Sequence, residues 1–174
     1  MGWKNVKQHY RIDHYVQVTR EGLCIGSGYV HNIITIKDGK LHWSSGLGPS
    51  SNGKLERYWR EMEADLPALY RLIELPDTFE KSIVVYTYDY DGNIIQKRCE
   101  EPGWPNVTHD GEMMYDNRFS TDRDQVVEWA RTNLTHAIEN WRDIVHEREK
   151  ELADGRERLA KFEAGLAKLG GEAS

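Results

Sequence analysis

From Leu134 onward the chain places apolar residues at alternating steps of four and three: Leu134, Ile138, Trp141, Val145, Leu152, Leu159, Phe162, Leu166 and Leu169. This is a heptad pattern, and it requires a long helix with one apolar seam. Arg148 and Gly155 occupy the two remaining seam positions, and a glycine inside a helix costs about 1 kcal/mol relative to alanine. The spacing therefore fits either a hinge at Gly155 or an unbroken rod. Between Trp141 and Ser174 eight acids interleave with seven bases, which suits a solvated helix laced with i,i+4 pairs and not a phosphate-binding stripe. Each large apolar side chain in the seam gains roughly 1.5–3 kcal/mol when fully buried, so the seam must be covered. The expected cover is a second copy, in a homodimeric coiled coil; a helix folded back on the rest of the chain is the competing reading.

Upstream, the pattern changes from period 3.6 to period 2. Tyr15 and Gln17 alternate with Val16 and Val18, Glu21-Gly22 supplies a turn before Leu23-Cys24-Ile25, and residues 30–36 and 41–43 flank Asp38-Gly39. Asp91-Gly92 sits between residues 83–88 and Ile94-Ile95, and Asp110-Gly111 between Val107-Thr108 and residues 113–115, so up to three hairpins are expected. Residues 54–75 have helical spacing, with Asp65 as N-cap of a second helix if the chain restarts at Pro67. Ser120-Thr121-Asp122 offers the N-cap of the final helix. The fold class expected is α+β: antiparallel hairpins, a central helix and a long C-terminal helix. The domains are residues 1–120, globular, and residues 121–174, helical, with coiled-coil character from about 134.

Composition narrows the function. Of 174 residues, 29 are acidic and 23 basic, a formal charge of −6 that argues against a general nucleic-acid binder. Two cysteines, Cys24 and Cys99, make neither a disulfide framework nor a four-cysteine zinc site, which points to a reducing cytoplasm. No stretch reaches the ~18 apolar residues of a membrane span, and the N-terminus lacks the apolar core of a signal peptide.

Several motifs fail on inspection. Gly48 to Lys54 has the Gly-x-x-x-x-Gly-Lys spacing of a phosphate-binding loop, but Leu55 stands where a Ser or Thr must hold Mg²⁺, and antiparallel hairpins replace the βαβ setting. His109, Asp110, Glu112 and Asp116 are the right residue types for a divalent metal or an acid/base pair, without a diagnostic spacing. Asn106-Val107-Thr108 and Asn133-Leu134-Thr135 match the glycosylation tripeptide with no secretory signal to give it meaning. The helix over 54–75 mixes Lys54, Arg57, Arg60 and Arg71 with five acids, a poor recognition helix for DNA. No catalytic residue, cofactor or metal is assigned.

What remains is a surface. Residues 100–124 hold seven acids against Arg118 and Arg123, and Trp104 stands stiffly between Pro102 and Pro105. An acidic face with an aromatic anchor suits a basic protein partner; an ordinary solvated face, with Trp104 capping the core, is the competing reading. The expected partner-binding residues are Trp104, Asn106, His109, Asp110, Glu112, Tyr115 and Asp116.

The string from Glu100 to Gly111, continued by Met114-Tyr115-Asp116-Asn117, resembles small accessory proteins of tailed phages and prophages of Gram-negative bacteria. Residues 2–7, 16–19 and 25–27 are similar to their N-termini, so the resemblance spans roughly residues 2–135. It carries no active site. It implies a phage protein of the host cytoplasm that binds a host protein stoichiometrically, as an inhibitor or antiviral-defence factor, without being an enzyme; a small metal- or nucleotide-dependent enzyme is the alternative, and a transcriptional regulator comes last.

Overall fold

Asp38 and Gly39 both have positive φ, 48° and 75°, the geometry of the two-residue turn whose twist matches a hairpin. That turn joins β3 (Ile34–Lys37) to β4 (Lys40–Trp43), with Lys37 opposite Lys40. The computed structural model describes residues 1–44 and 53–171, so the Gly48–Lys54 motif lies largely outside the described residues. β1 (Tyr15–Thr19), β2 (Gly22–Gly26), β3 and β4 form a four-stranded antiparallel meander in sequence order. The register sets Val16, Ile25 and Ile34 in one cross-strand row and Val18, Leu23 and Ile36 in the next. Both rows belong to the main core, because alternation sends every second side chain to the same face.

Three helices cover that face. α1 (Trp3–His9) contributes Trp3 and Val6, α2 (Gly53–Ala64) contributes Leu55, Tyr58 and Met62, and α3 (Leu66–Glu74) contributes Leu69. The interruption between α2 and α3 is as the sequence leads one to expect. Asp65 caps α3, its Oδ1 accepting from Ala68 N at 2.9 Å, a contact worth about 1 kcal/mol, and Pro67 sits in the first turn. α1 has no counterpart in the sequence reading, although Trp3, Val6 and Tyr10 follow the i, i+3, i+7 spacing that signals it.

A second sheet pairs β5 (Ile83–Tyr88) with β6 (Ile94–Cys99), and Tyr86 exchanges two backbone hydrogen bonds with Ser120. Val85, Cys99, Met114 and Phe119 make its small core. Two expected strands are corrected. Residues 30–33 are not strand, because Ser27 captures the chain: its Oγ accepts from Tyr29 N and Val30 N, and its own N donates to Val30 O. The hairpin at Asp110-Gly111 is reduced to a single bridge, Val107 with Met113, because His109 N donates instead to Arg98 O in β6.

α4 (Arg123–Gly171) is one helix without a break at Gly155. Asp122 caps it, Oδ1 accepting from Asp124 N at 2.9 Å. The ~1 kcal/mol that Gly155 costs is spread over a helix otherwise rich in good helix formers, which is too little to break it. Chain contacts divide the molecule into two units, Met1–Val127 and Glu128–Ser174. Among the described residues no helix is long and apolar enough to cross a membrane.

Candidate functional site

The segment 100–117 is anchored to the rest of its unit by hydrogen bonds and a ring stack. Trp3 Nε1 donates to His109 O at 2.7 Å, and Val18 N donates to Asp110 O at 2.7 Å. The His109 ring stacks on Phe79, centroids 3.8 Å apart, with Nε2 3.0 Å from Lys81 O. Gly111 permits the close approach to β1. Its φ is +83°, and a Cβ there would lie 2.2 Å from Val16 O and 2.9 Å from Gln17 Cα, both backbone atoms that cannot move aside. Gly111→Ala is therefore expected to cost about 3 kcal/mol or more in urea unfolding, whereas Gly103→Ala, with positive φ but open space around it, costs about 1 kcal/mol.

Lys97 changes the character of the acidic segment. Its Nζ donates to Asp110 Oδ2 at 2.6 Å and also to Glu112 Oε2, with the lysine side chain only 19% exposed. Burial by itself lowers the ammonium's pKa, but the hydrogen bonds and charges of Asp110 and Glu112 outweigh it and hold the pKa above the ordinary lysine value. Asp110 Oδ1 also accepts from Thr108 Oγ, and Glu112 N donates to Thr108 Oγ at 3.0 Å. These two carboxylates are cross-linked to the sheet through one cation. Glu100 is likewise paired, with Lys4 at 2.9 Å, and it accepts from Glu80 N.

The seven expected partner-binding residues thus separate. Asn106, His109, Asp110 and Glu112 are half-buried and hold the segment in place, Asn106 O accepting from Met114 N at 3.1 Å. Trp104, Tyr115 and Asp116 stand together at the surface. The Trp104 and Tyr115 rings stack at 5.2 Å and 20°, Asp116 Oδ1 accepts from Trp104 N at 3.3 Å, and Tyr115 OH donates to Gly28 O at 3.3 Å.

Tyr115 also forms the rim of a groove of about 620 Å³ between the open face of the first sheet and the second. Tyr15, Gln17, Arg20, Tyr90 and Arg118 are among its walls. Arg118 donates from Nη2 to Tyr88 O at 2.9 Å, and among the described residues neither it nor Arg20 forms a salt bridge. Lys97 is already shared by Asp110 and Glu112, so the cations that the groove holds outside that cluster are Arg20 and Arg118. Lys97 is the residue that sequence reasoning passed over. The signal was its place in β6: alternation puts it on the same side as buried Cys99, directly opposite buried Val85.

Among the described residues, no three His, Cys, Asp or Glu side chains are gathered closely enough to hold a metal ion. Cys24 is fully buried, its Sγ 3.4 Å from Thr19 Oγ and 3.7 Å from Thr35 Oγ, and Cys99 is buried with its thiol pKa pushed up by desolvation. No family model, curated protein or solved structure matches the chain.

The helical seam is the other candidate. Ile138, Trp141, Val145, Leu152, Leu159, Phe162, Leu166 and Leu169 are 51–75% exposed, and Leu134 is half-buried. Arg148 leans away from the seam, its Nη1 2.6 Å from Glu151 on the same helix.

Proposed function

We propose that this chain is a non-enzymatic binding protein that self-associates through α4 and engages a partner protein through the groove and the Trp104–Tyr115 pair. The observation that carries the reading is the uncovered seam: eight large apolar side chains in heptad register, each more than half exposed. Such a row is stable in water only when another surface buries it. The exposed aromatic pair at the rim of the groove supports the second half, because aromatic side chains of this kind anchor interfaces. In the setting that the sequence resemblance implies, the partner is a host protein and the outcome is inhibition of a host enzyme or of a defence effector.

Two measurements test this. Sedimentation velocity on the full chain is expected to give a concentration-dependent oligomer; a monomer at high micromolar concentration sinks the self-association. A nuclease-treated pull-down with wild type and with Trp104→Ala/Tyr115→Ala is expected to retain one stoichiometric protein with wild type only, the variant losing at least tenfold in affinity, about 1.4 kcal/mol. Equal capture by both proteins removes this surface from the proposal. A rise in melting temperature with nucleotides or divalent ions would instead support a ligand-dependent enzyme.

A further inference from the structure

We infer that the self-association proposed above, on which this inference rests, joins two α4 helices antiparallel in one register, with Leu152 of one copy facing Gly155 of the other. The argument comes from the residues flanking the seam. In heptad terms Ile138, Val145, Leu152, Leu159 and Leu166 take a, while Trp141, Arg148, Gly155, Phe162 and Leu169 take d. The flanking e positions are then Arg142, Glu149, Arg156 and Glu163, and the charged g positions are Glu151 and Arg158.

In an antiparallel pair a faces d, e faces e and g faces g. The stated register sets Arg142 against Glu163, Glu149 against Arg156 and Glu151 against Arg158, and the twofold axis repeats each pair, so every charged flank meets its opposite. Sliding by one heptad in one direction brings Glu149 onto Glu149, Glu151 onto Glu151 and Arg142 onto Arg156. Sliding in the other direction brings Arg156 onto Arg156, Arg158 onto Arg158 and Glu149 onto Glu163. In both neighbours every charge that meets another meets its like, which is how a coiled coil rejects wrong registers.

A parallel pair also finds attractive flanks, Glu151 with Arg156 and Arg158 with Glu163, so the seam has to decide. Parallel packing stacks Arg148 on Arg148 and leaves a hole where Gly155 meets Gly155. The antiparallel register faces Arg148 with Leu159, and the guanidinium already reaches out of the seam to Glu151, as its long stem allows. It also sets Gly155 against the larger Leu152, Val145 against Phe162, and Trp141 against Leu166. The two irregular seam positions, which weaken any in-register pair, become complementary when one helix is reversed.

Spin labels test orientation on the full chain. His136→Cys and Lys150→Cys place the label on the outer face of the helix, and Cys24 and Cys99 are buried and stay unlabelled in the native protein. At ~1.5 Å per residue, the antiparallel register separates the two labels along the axis by about 50 Å at position 136 and only about 10 Å at position 150. Equal distances at the two positions in a sedimenting dimer overturn the orientation. An axial offset of about 10 Å from both values, one heptad, overturns the register. A monomer in sedimentation overturns the reading beneath. As a second readout, Glu149→Arg is expected to raise the dissociation constant about tenfold, and Glu149→Arg with Arg156→Glu to restore it. Glu149→Arg without effect on a dimer contradicts the register, because in a parallel pair Glu149 faces Ile144.

Discussion

Phe162→Glu combined with Leu166→Lys is expected to abolish self-association while leaving the globular unit untouched. The two positions are 75% and 73% exposed in the chain alone, so neither substitution removes a contact within it. They are spaced i,i+4 with Glu on the N-terminal side, an arrangement that supports the helix by a few tenths of a kcal/mol. The loss falls on the assembly. Four apolar side chains per dimer, each contributing ~1.5–3 kcal/mol on burial, amount to about 6 kcal/mol or more, over four decades in dissociation constant. Light scattering should report a monomer at every accessible concentration, and the helix melt should lose its concentration dependence. Most of a helix's stability comes from packing its apolar face, and association supplies that packing, so wild-type α4 should melt later as concentration rises. An oligomer that survives the double substitution would show that another surface joins the copies.

Lys97→Met is the second large effect. It leaves Asp110 and Glu112 close together with no cation, at positions where the carboxyls are 39% and 35% exposed. Removing one partner of a fully buried pair costs ~3–5 kcal/mol, and the partial exposure here reduces that by screening to about 2 kcal/mol. Adding Asp110→Asn and Glu112→Gln should recover much of the loss, since the like charges go with the cation. Chemical denaturation of the three proteins measures this; a Lys97→Met chain as stable as wild type would show the cluster to be a solvated surface pair. The pH dependence has a definite sign. The folded lysine's pKa is raised, so its contribution is complete below the unfolded value of ~10.4 and is lost as pH climbs through the folded value. Wild type should therefore lose stability in the alkaline range relative to Lys97→Met.

These contacts also change how the acidic segment is to be probed. Reversing charge at Asp110, Glu112 and Asp116 together, a natural choice from the sequence, would unfold the loop by breaking the Lys97 cluster. Only Asp116 among the three is exposed and free of a salt bridge among the described residues, so it joins Trp104 and Tyr115 as a usable site for binding variants.

Much of the architecture was legible in the chain because it depends on neighbours in sequence. Asp38-Gly39 and Asp91-Gly92 mark real hairpins, since Asp-Gly tolerates the positive φ that a tight turn needs. Asp65 and Pro67 restart a helix, and the four-three spacing after Leu134 marks a long one, although the spacing left open whether Gly155 breaks it and only the structure shows one continuous helix. α1 was missed for the opposite reason. With only seven residues it has too weak a period of its own, and it is held by Trp3 and Val6 packing into a core built from distant strands.

The site divides along the same line. By itself the sequence determined that the chain carries an apolar seam needing cover and an aromatic, acid-rich segment after Cys99, because residue type and spacing are local properties. Tertiary structure alone decided which members of that segment face solvent. The partner of Asp110 lies 13 residues away at Lys97, and that of the His109 carbonyl 106 residues away at Trp3. Whether a carboxylate is a free surface charge or one arm of a half-buried ion cluster depends on which side chains packing brings to it, and no local rule of spacing contains that information.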